Sequence, residues 1–161
     1  PDEDVIGAAI ERVERPFTSA AGDLNRLREG LLDLMWDKVG VIRDGKGLAE
    51  GRDGLAKLRM ALDGEGVADG QRGFNLTWHD WLNLDSLIEV SEAITAAATA
   101  RTDSRGSHFR DDHPVSGALE TSAFTVVRKS RDGAIETSME PVRFTIVKPG
   151  ETILKEPQAA E

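Results

Sequence analysis

Apolar side chains recur at helical spacing close to the start of the chain. Between Asp4 and Arg15 they share one face of a predicted short amphipathic helix, which Pro16 ends because a proline ring blocks a further helical turn. This face consists of Ile6, Ala9, Ile10 and Val13. The sequence therefore predicts a short first helix with one side to bury.

Three longer apolar stripes follow, and each predicts one helix of a bundle. The first long helix starts after the candidate N-cap Asp23 and runs through Val41, with the stripe Leu24, Leu27, Leu31, Leu34, Met35 and Ile42. Residues 44–47 are predicted to break it before a second stripe of Leu48, Gly51 or Arg52, Leu55, Leu58 and Leu62. The third helix, capped by Asn83 or Asp85, carries Leu84, Leu87, Ile88, Ser91, Ile94 and Ala98. Small side chains at residues 93–100 predict tight packing there.

The pattern changes to that of strands after Pro114. Residues 122–129 and 134–139 flank a turn that contains Asp132-Gly133, and Asp-Gly between two such runs is typical of a β-hairpin. A third extended piece is predicted over residues 142–147, and a loose tail from Lys155.

The predicted fold class is mainly α. It is a three-helix up-down bundle with a short N-terminal helix and a small C-terminal β-hairpin and extended tail. We expect residues 1–114 to form the bundle domain and residues 115–161 to form the hairpin and tail packed on it.

Composition and charge narrow the classes of function. The formal net charge of −9 disfavours nucleic-acid binding, because that affinity depends on clustered Lys and Arg. No apolar run is long enough to cross a bilayer, and residues 1–4 lack the features of a signal peptide, so a cytoplasmic protein is expected. The absence of cysteine excludes disulfides, thiol catalysis and sulfur-ligated metals from this sequence.

Candidate chemistry is concentrated between residues 101 and 114. Guanidinium groups bind planar anions in a bidentate manner, so an anionic ligand is one interpretation of the cluster Arg101, Arg105 and Arg110. The alternative, which we favour, is pairing with the nearby Asp103, Asp111 and Asp112. A metal site built from His108, His113 and Asp111 is a weaker third interpretation.

The aromatic residues receive a structural interpretation. Trp36, Trp78 and Trp81 are predicted to anchor the core, and His79 is predicted to be packed and hydrogen-bonded between two of them.

Three segments, taken in order, resemble a known family. They are residues 34–43, residues 75–84 and residues 102–114, and the last contains the pattern Ser-Arg-Gly-x-His-x-Arg that ends at Asp112 and Pro114. Together they resemble the C-terminal region of the succinate dehydrogenase and fumarate reductase flavoprotein subunit, with L-aspartate oxidase among the relatives. The resemblance covers residues 5–150, but the chain departs from the family's pattern after Pro114.

The resemblance implies a role within a larger enzyme. The parent would be a FAD-dependent oxidoreductase that interconverts succinate and fumarate, whereas this fragment would hold no cofactor, no metal and no catalytic residue. The implied partners are the upstream FAD-binding and capping domains and an iron–sulfur subunit. The implied interface residues are Arg101, Ser104, Arg105, His108, Arg110 and Asp112.

Several alternatives stay open. The chain could be the same domain of an L-aspartate oxidase-like enzyme, or a free-standing helical protein-interaction module without catalysis. Self-association of the fragment and peripheral attachment to the inner membrane through partner subunits are further expectations.

Overall fold

The computed structural model describes residues 2–130 and 132–151, and its fold is mainly α. The helices are α1 (Glu3–Glu14), α2 (Leu24–Val39), α3 (Gly45–Gly64) and α4 (Leu76–Ala100), with 3-10 turns at Arg15–Thr18 and Leu119–Thr121. The strands are β1 (Ile42–Arg43), β2 (Phe109–Arg110), β3 (Ala123–Lys129) and β4 (Ile135–Pro141). The predicted bundle, N-terminal helix and hairpin are thereby confirmed.

Helices α2, α3 and α4 enclose two apolar clusters. The larger cluster consists of Leu24, Leu27, Leu31, Leu55, Leu62, Val67, Trp81, Leu84 and Ile88. The smaller one lies at the C-terminal end of α4, where Ala98 packs against Val39 and Leu48. The predicted stripes of α2 and α3 supply half of these side chains, since helical periodicity selects one face of each helix.

Two helix boundaries differ from the prediction. Helix α2 ends at Val39, and Ile42 lies in β1 rather than on the helical stripe. The segment predicted as a helix break instead starts α3, because the Asp44 side chain accepts a hydrogen bond from the Gly47 amide at 2.6 Å. The connection therefore lies earlier in the chain than the glycines suggest, at residues 40–44, since Asp44 satisfies an amide of the first turn of α3.

Helix α4 is longer than predicted, and its cap was wrongly assigned. Asn75 is the N-cap: its side-chain oxygen accepts from the Trp78 amide at 3.0 Å, while its amide group donates to the carbonyls of Asp69 and Gln71. Asn83 and Asp85 lie inside the helix. Asp85 is buried and pairs with Arg12 of α1 and Arg59 of α3, so its polar character serves helix packing.

The strands form two small sheets. β1 and β2 are parallel, with Ile42 opposite Phe109 and Arg43 opposite Arg110, a pairing that the sequence did not predict. β3 and β4 form the predicted antiparallel hairpin, which Lys129 ties to Glu89 of α4 at 2.9 Å. Residues 142–147 form no strand, so the third extended piece was wrong. The predicted tail from Lys155 lies outside the described residues.

The residues predicted to pack as aromatic anchors differ in burial. Trp81 is fully buried and Trp78 partly so, but Trp36 is 82% exposed and His79 is exposed, so neither of the last two is the packed residue that we predicted.

The predicted tight packing of the small residues 93–100 is seen on the side of α4 that carries Ala98, which packs against Val39 and Leu48. On the other side Ala96 and Ala100 help to line a groove of about 490 Å³ between α3, α4 and β4.

The apolar face of α1 and two residues of the α4 stripe were predicted to pack against the bundle but are exposed. The apolar face of α1 is largely open to solvent: Ile6 and Ile10 are 47% and 56% exposed, and only Val13 is partly buried. On α4, Leu87 and Ile94 are each 44% exposed and lie outside both clusters.

Candidate functional site

The candidate site is residues 101–114, called here the arginine loop, which follows α4 directly. The chain reverses direction at Gly106, whose φ of +59° is a backbone conformation that residues other than glycine rarely adopt. Mutual backbone hydrogen bonds between Arg105 and His108, at 2.8 and 3.0 Å, close this turn. The chain then continues into β2 beside β1, so the loop lies where α2 ends and α3 begins.

Arg110 fastens the end of α4. Its Nη1 donates to the carbonyls of Ala98 and Arg101, both at 3.0 Å, and the residue is 4% exposed. The last carbonyls of a helix lack partners within the helix and carry partial negative charge, so a buried guanidinium satisfies both needs. The hydrogen bonds to Asp112 raise the pKa of Arg110, which keeps it cationic.

Asp112 connects this cation to the next helix. Its two oxygens accept from Nε and Nη2 of Arg110 at 2.7 Å each, a bidentate pair, and Oδ2 also accepts from the Gly45 amide at 2.8 Å. Gly45 is the first residue of α3, so the carboxylate lies at the positive end of a helix. The hydrogen bond from Arg110, followed by that from Gly45, holds the pKa of Asp112 well below the usual range of an aspartate.

Ser104 holds the loop together from inside. Its hydroxyl donates to the His113 carbonyl at 2.8 Å and accepts from the Arg110 amide at 2.9 Å, and it is 4% exposed. Its backbone carbonyl accepts from the Ser116 hydroxyl at 2.8 Å. A small hydroxyl is needed here, since one buried oxygen serves as both donor and acceptor.

Arg101 and Arg105 connect the loop to the hairpin region. Arg101 forms a bidentate pair with Asp103 and donates to the carbonyl of Ala123 at the start of β3. Arg105 donates to the Ser122 hydroxyl and to the Gly117 carbonyl, with Asp103 3.8 Å from its Nε. Both arginines therefore contribute to tertiary structure.

His108 faces Arg43, a residue that sequence reasoning did not single out. The Nδ1 atom of His108 lies 2.7 Å from Nη1 of Arg43; because a guanidinium only donates, Nδ1 accepts and the ring hydrogen is on Nε2. Burial, and secondly the charge of Arg43, lowers the pKa of His108. Nε2 is buried and has no hydrogen-bond partner among the described residues.

The structure thus separates the loop's polar residues into several networks. The favoured pairing of arginines with aspartates is seen for Arg101, Arg105 and Arg110, although Asp111 is not a partner. Within residues 2–130 and 132–151, His108, His113 and Asp111 do not form a group of three metal-ligating side chains. No helix in that part of the chain is both long and apolar enough to cross a bilayer.

The position of Arg43, shortly after the C-cap Gly40 of α2, is the one sequence signal for its role at the end of that helix. Its Nε donates to the Val39 carbonyl at 3.0 Å, which caps that helix. Its contact with His108, 65 residues away, has no signal in the sequence.

Comparison with known proteins places these residues in a matched region. A family profile described as "Fumarate reductase flavoprotein C-term" matches residues 28–154. A fumarate reductase flavoprotein subunit of Mycobacterium tuberculosis is 31% identical over 145 residues, which are 88% of this chain and 25% of that protein. A succinate dehydrogenase flavoprotein subunit of Coxiella burnetii is 35% identical over 114 residues, covering 70% of this chain and 19% of that protein.

A solved structure shares the fold. Mycobacterium smegmatis Sdh1, determined in complex with UQ1, superimposes with a TM-score of 0.77 at 30% identity, over 89% of this chain and 24% of that chain. The chain therefore spans about a quarter or less of the length of the relatives it matches.

Proposed function

Because the chain belongs to the family of fumarate reductase flavoprotein C-terminal domains, we propose that it serves as the helical domain of a FAD-dependent oxidoreductase that interconverts succinate and fumarate. The observation that carries this proposal is the match over residues 28–154, which includes the whole arginine loop. In such an enzyme the flavin supplies hydride transfer, and the protein supplies its placement.

The part of the chain that the structure describes does not fit a FAD site. Dinucleotide sites use a glycine-rich turn between a strand and the helix that follows it, where the amides face the pyrophosphate. Here Gly66, Gly70 and Gly73 lie between two helices, and β1 leads into α3 through Asp44, which already accepts from an amide of the first turn. FAD would therefore be bound by another part of the protein, and this fragment alone would be inactive.

The role that remains is structural support. The proposed docking surface for the upstream FAD-binding and capping domains is the arginine loop, through Arg101, Ser104, Arg105, His108, Arg110 and Asp112. Ser104 and Arg110 are buried and would act by fixing the loop's shape, whereas the other four are accessible in part. An ordered loop loses little conformational entropy on docking.

The same proposal extends to organisation and partners. Residues 1–114 would form the bundle domain, and residues 115–161 a hairpin and tail that Arg101 and Lys129 attach to it. An iron–sulfur subunit is a further proposed partner, and membrane attachment would be peripheral, through partner subunits.

Purification of the native protein from its source tests the proposal. We expect a polypeptide several times larger than 17.5 kDa with bound FAD and succinate-dependent reduction of an electron-accepting dye. The 161-residue chain, produced alone, is the control and should show neither flavin nor activity. A native polypeptide of 17.5 kDa without flavin would contradict the proposal and support a free-standing interaction module.

A further inference from the structure

Arg43 differs from every other partly or fully buried arginine that the structure describes. Each of the others has a carboxylate oxygen within 4.0 Å; these are Arg28, Arg59, Arg101, Arg105 and Arg110. Arg43 has none among residues 2–130 and 132–151. A shortage of acids is not the reason, because the chain has 29 Asp and Glu against 20 Lys and Arg.

The contacts of Arg43 leave its charge uncompensated. Nε donates to the Val39 carbonyl and Nη1 to Nδ1 of His108, and both acceptors are neutral. Nη2 makes no hydrogen bond to the described residues. Burial lowers the pKa of Arg43, because its charged form loses hydration.

Exposed apolar residues adjoin this cation along the chain and in the paired strand, although the pair of Ile42 and Phe109 lies on the opposite face of the two strands, because successive strand residues point to opposite sides. Val41 is 63% exposed, Ile42 68% and Phe109 37%, and Ile42 lies directly opposite Phe109 in the parallel pair of β1 and β2. We call these three residues, with Arg43 and His108, the Arg43 surface. Arginine and exposed apolar or aromatic residues in one segment are typical of a protein interface.

We propose that the Arg43 surface is where the flavin-binding domain of the same protein docks, and that this domain presents a carboxylate to Arg43. This inference rests on the proposed function and adds to it a contact outside the arginine loop and the chemistry of its partner. The guanidinium fork suits a carboxylate, and an anion would supply the charge that residues 2–130 and 132–151 do not. The matched relative of Mycobacterium tuberculosis is more than three times as long as the chain, and because the matching family is a C-terminal region, most of the remaining length of that relative precedes the matched part.

Zero-length cross-linking in the full-length flavoprotein tests the contact. Arg43→Lys places an amine at this position, and a carbodiimide joins an amine to a carboxylate that it touches. We expect an amide link from residue 43 to an Asp or Glu of the flavin-binding domain, identified by mass spectrometry. Arg52→Lys is the matched control, because Arg52 is an exposed arginine of α3 that pairs with the adjacent Asp53, and it should form no such link.

A second variant tests the contact without relying on the lysine that Arg43→Lys introduces. In full-length protein with a wild-type circular dichroism spectrum, Arg43→Gln should make proteolytic cleavage between the domains about tenfold faster, and Arg52→Gln should change it less than about twofold. Full flavin content with neither the link nor faster cleavage would overturn this inference alone. A native protein that holds no flavin would overturn the proposed function, and this inference with it.

Discussion

The two ends of α4 are fixed by different forces. In its first half Trp81, Leu84 and Ile88 are completely buried in the larger apolar cluster. At its C-terminal end only Ala98 enters a cluster, and the final carbonyls are held instead by the guanidinium of Arg110. One helix therefore changes from apolar packing to charged hydrogen bonding along its length.

The difference follows from side-chain size. Hydrophobic stabilisation scales with buried apolar area, at about 25 cal/mol per Å², and alanine and threonine offer little area. A bundle end built from such residues needs another source of order, and the pair of Arg110 with Asp112 supplies it by joining the last turn of α4 to the first amide of α3. Such bonds are directional, so they also fix the shape of the arginine loop.

The largest effect is expected in the apolar half. Trp81→Ala should lower the free energy of unfolding by about 3–5 kcal/mol, because it leaves a cavity and removes the hydrogen bond from Nε1 to the Glu65 carbonyl. Urea denaturation measures this. Trp36→Ala is the matched control: its ring is 82% exposed, so a change of less than about 0.5 kcal/mol is expected. Equal losses at both tryptophans would contradict the assignment of the core.

The charged end should be nearly as sensitive. Arg110→Ala leaves a carboxylate without its cation and two helix carbonyls without their donor, so we expect a loss of about 3 kcal/mol in the free energy of unfolding. Removing either partner of the exposed pair Arg128 and Glu140 should cost less than about 1 kcal/mol. An Arg110→Ala variant as stable as Arg128→Ala would show that apolar packing alone holds this end.

The apolar half was more predictable from sequence than the charged end. Periodicity found the stripes of α2 and α3, and Asp23 was correctly assigned as a cap because it directly precedes the first apolar residue. Asn75 was missed because the apolar stripe of α4 begins nine residues later, at Leu84, and nearer candidates were preferred. A cap depends on where the first turn forms, which the apolar pattern does not determine.

Contacts between distant segments account for most of what the sequence missed. Asp85 is a plausible cap by type, but Arg12 and Arg59 from two other helices make it a buried ion-pair centre. The contact between Arg43 and His108 depends on a parallel pairing of only two residues per strand, too short to produce a periodic pattern. Conversely, alternation at residues 142–147 predicted a strand that is absent, since a strand also needs a partner.

The smallest effect is a pH dependence at the charged end. The pKa of Asp112 in the folded chain lies well below its unfolded value of about 3.9, so the stability it contributes is fully present above that pH and is lost as the pH falls further. Asp112→Asn retains an oxygen for the Gly45 amide but removes the charge. The gap in melting temperature between wild type and this variant should therefore be constant near neutral pH and narrow below about pH 4.

A matched variant separates this effect from general acid destabilisation. Asp53→Asn replaces an exposed aspartate of α3 that pairs with the adjacent Arg52, so it reports what any loss of an exposed aspartate does to the melting curve. At neutral pH, Asp112→Asn should lower the melting temperature more than Asp53→Asn does, because Asp112 contacts both a buried guanidinium and a helix N-terminus. A gap at Asp112 that stayed unchanged down to the acid transition would mean that the hydrogen bonds at its oxygens matter and its charge does not, and that the end of α4 is held by geometry alone.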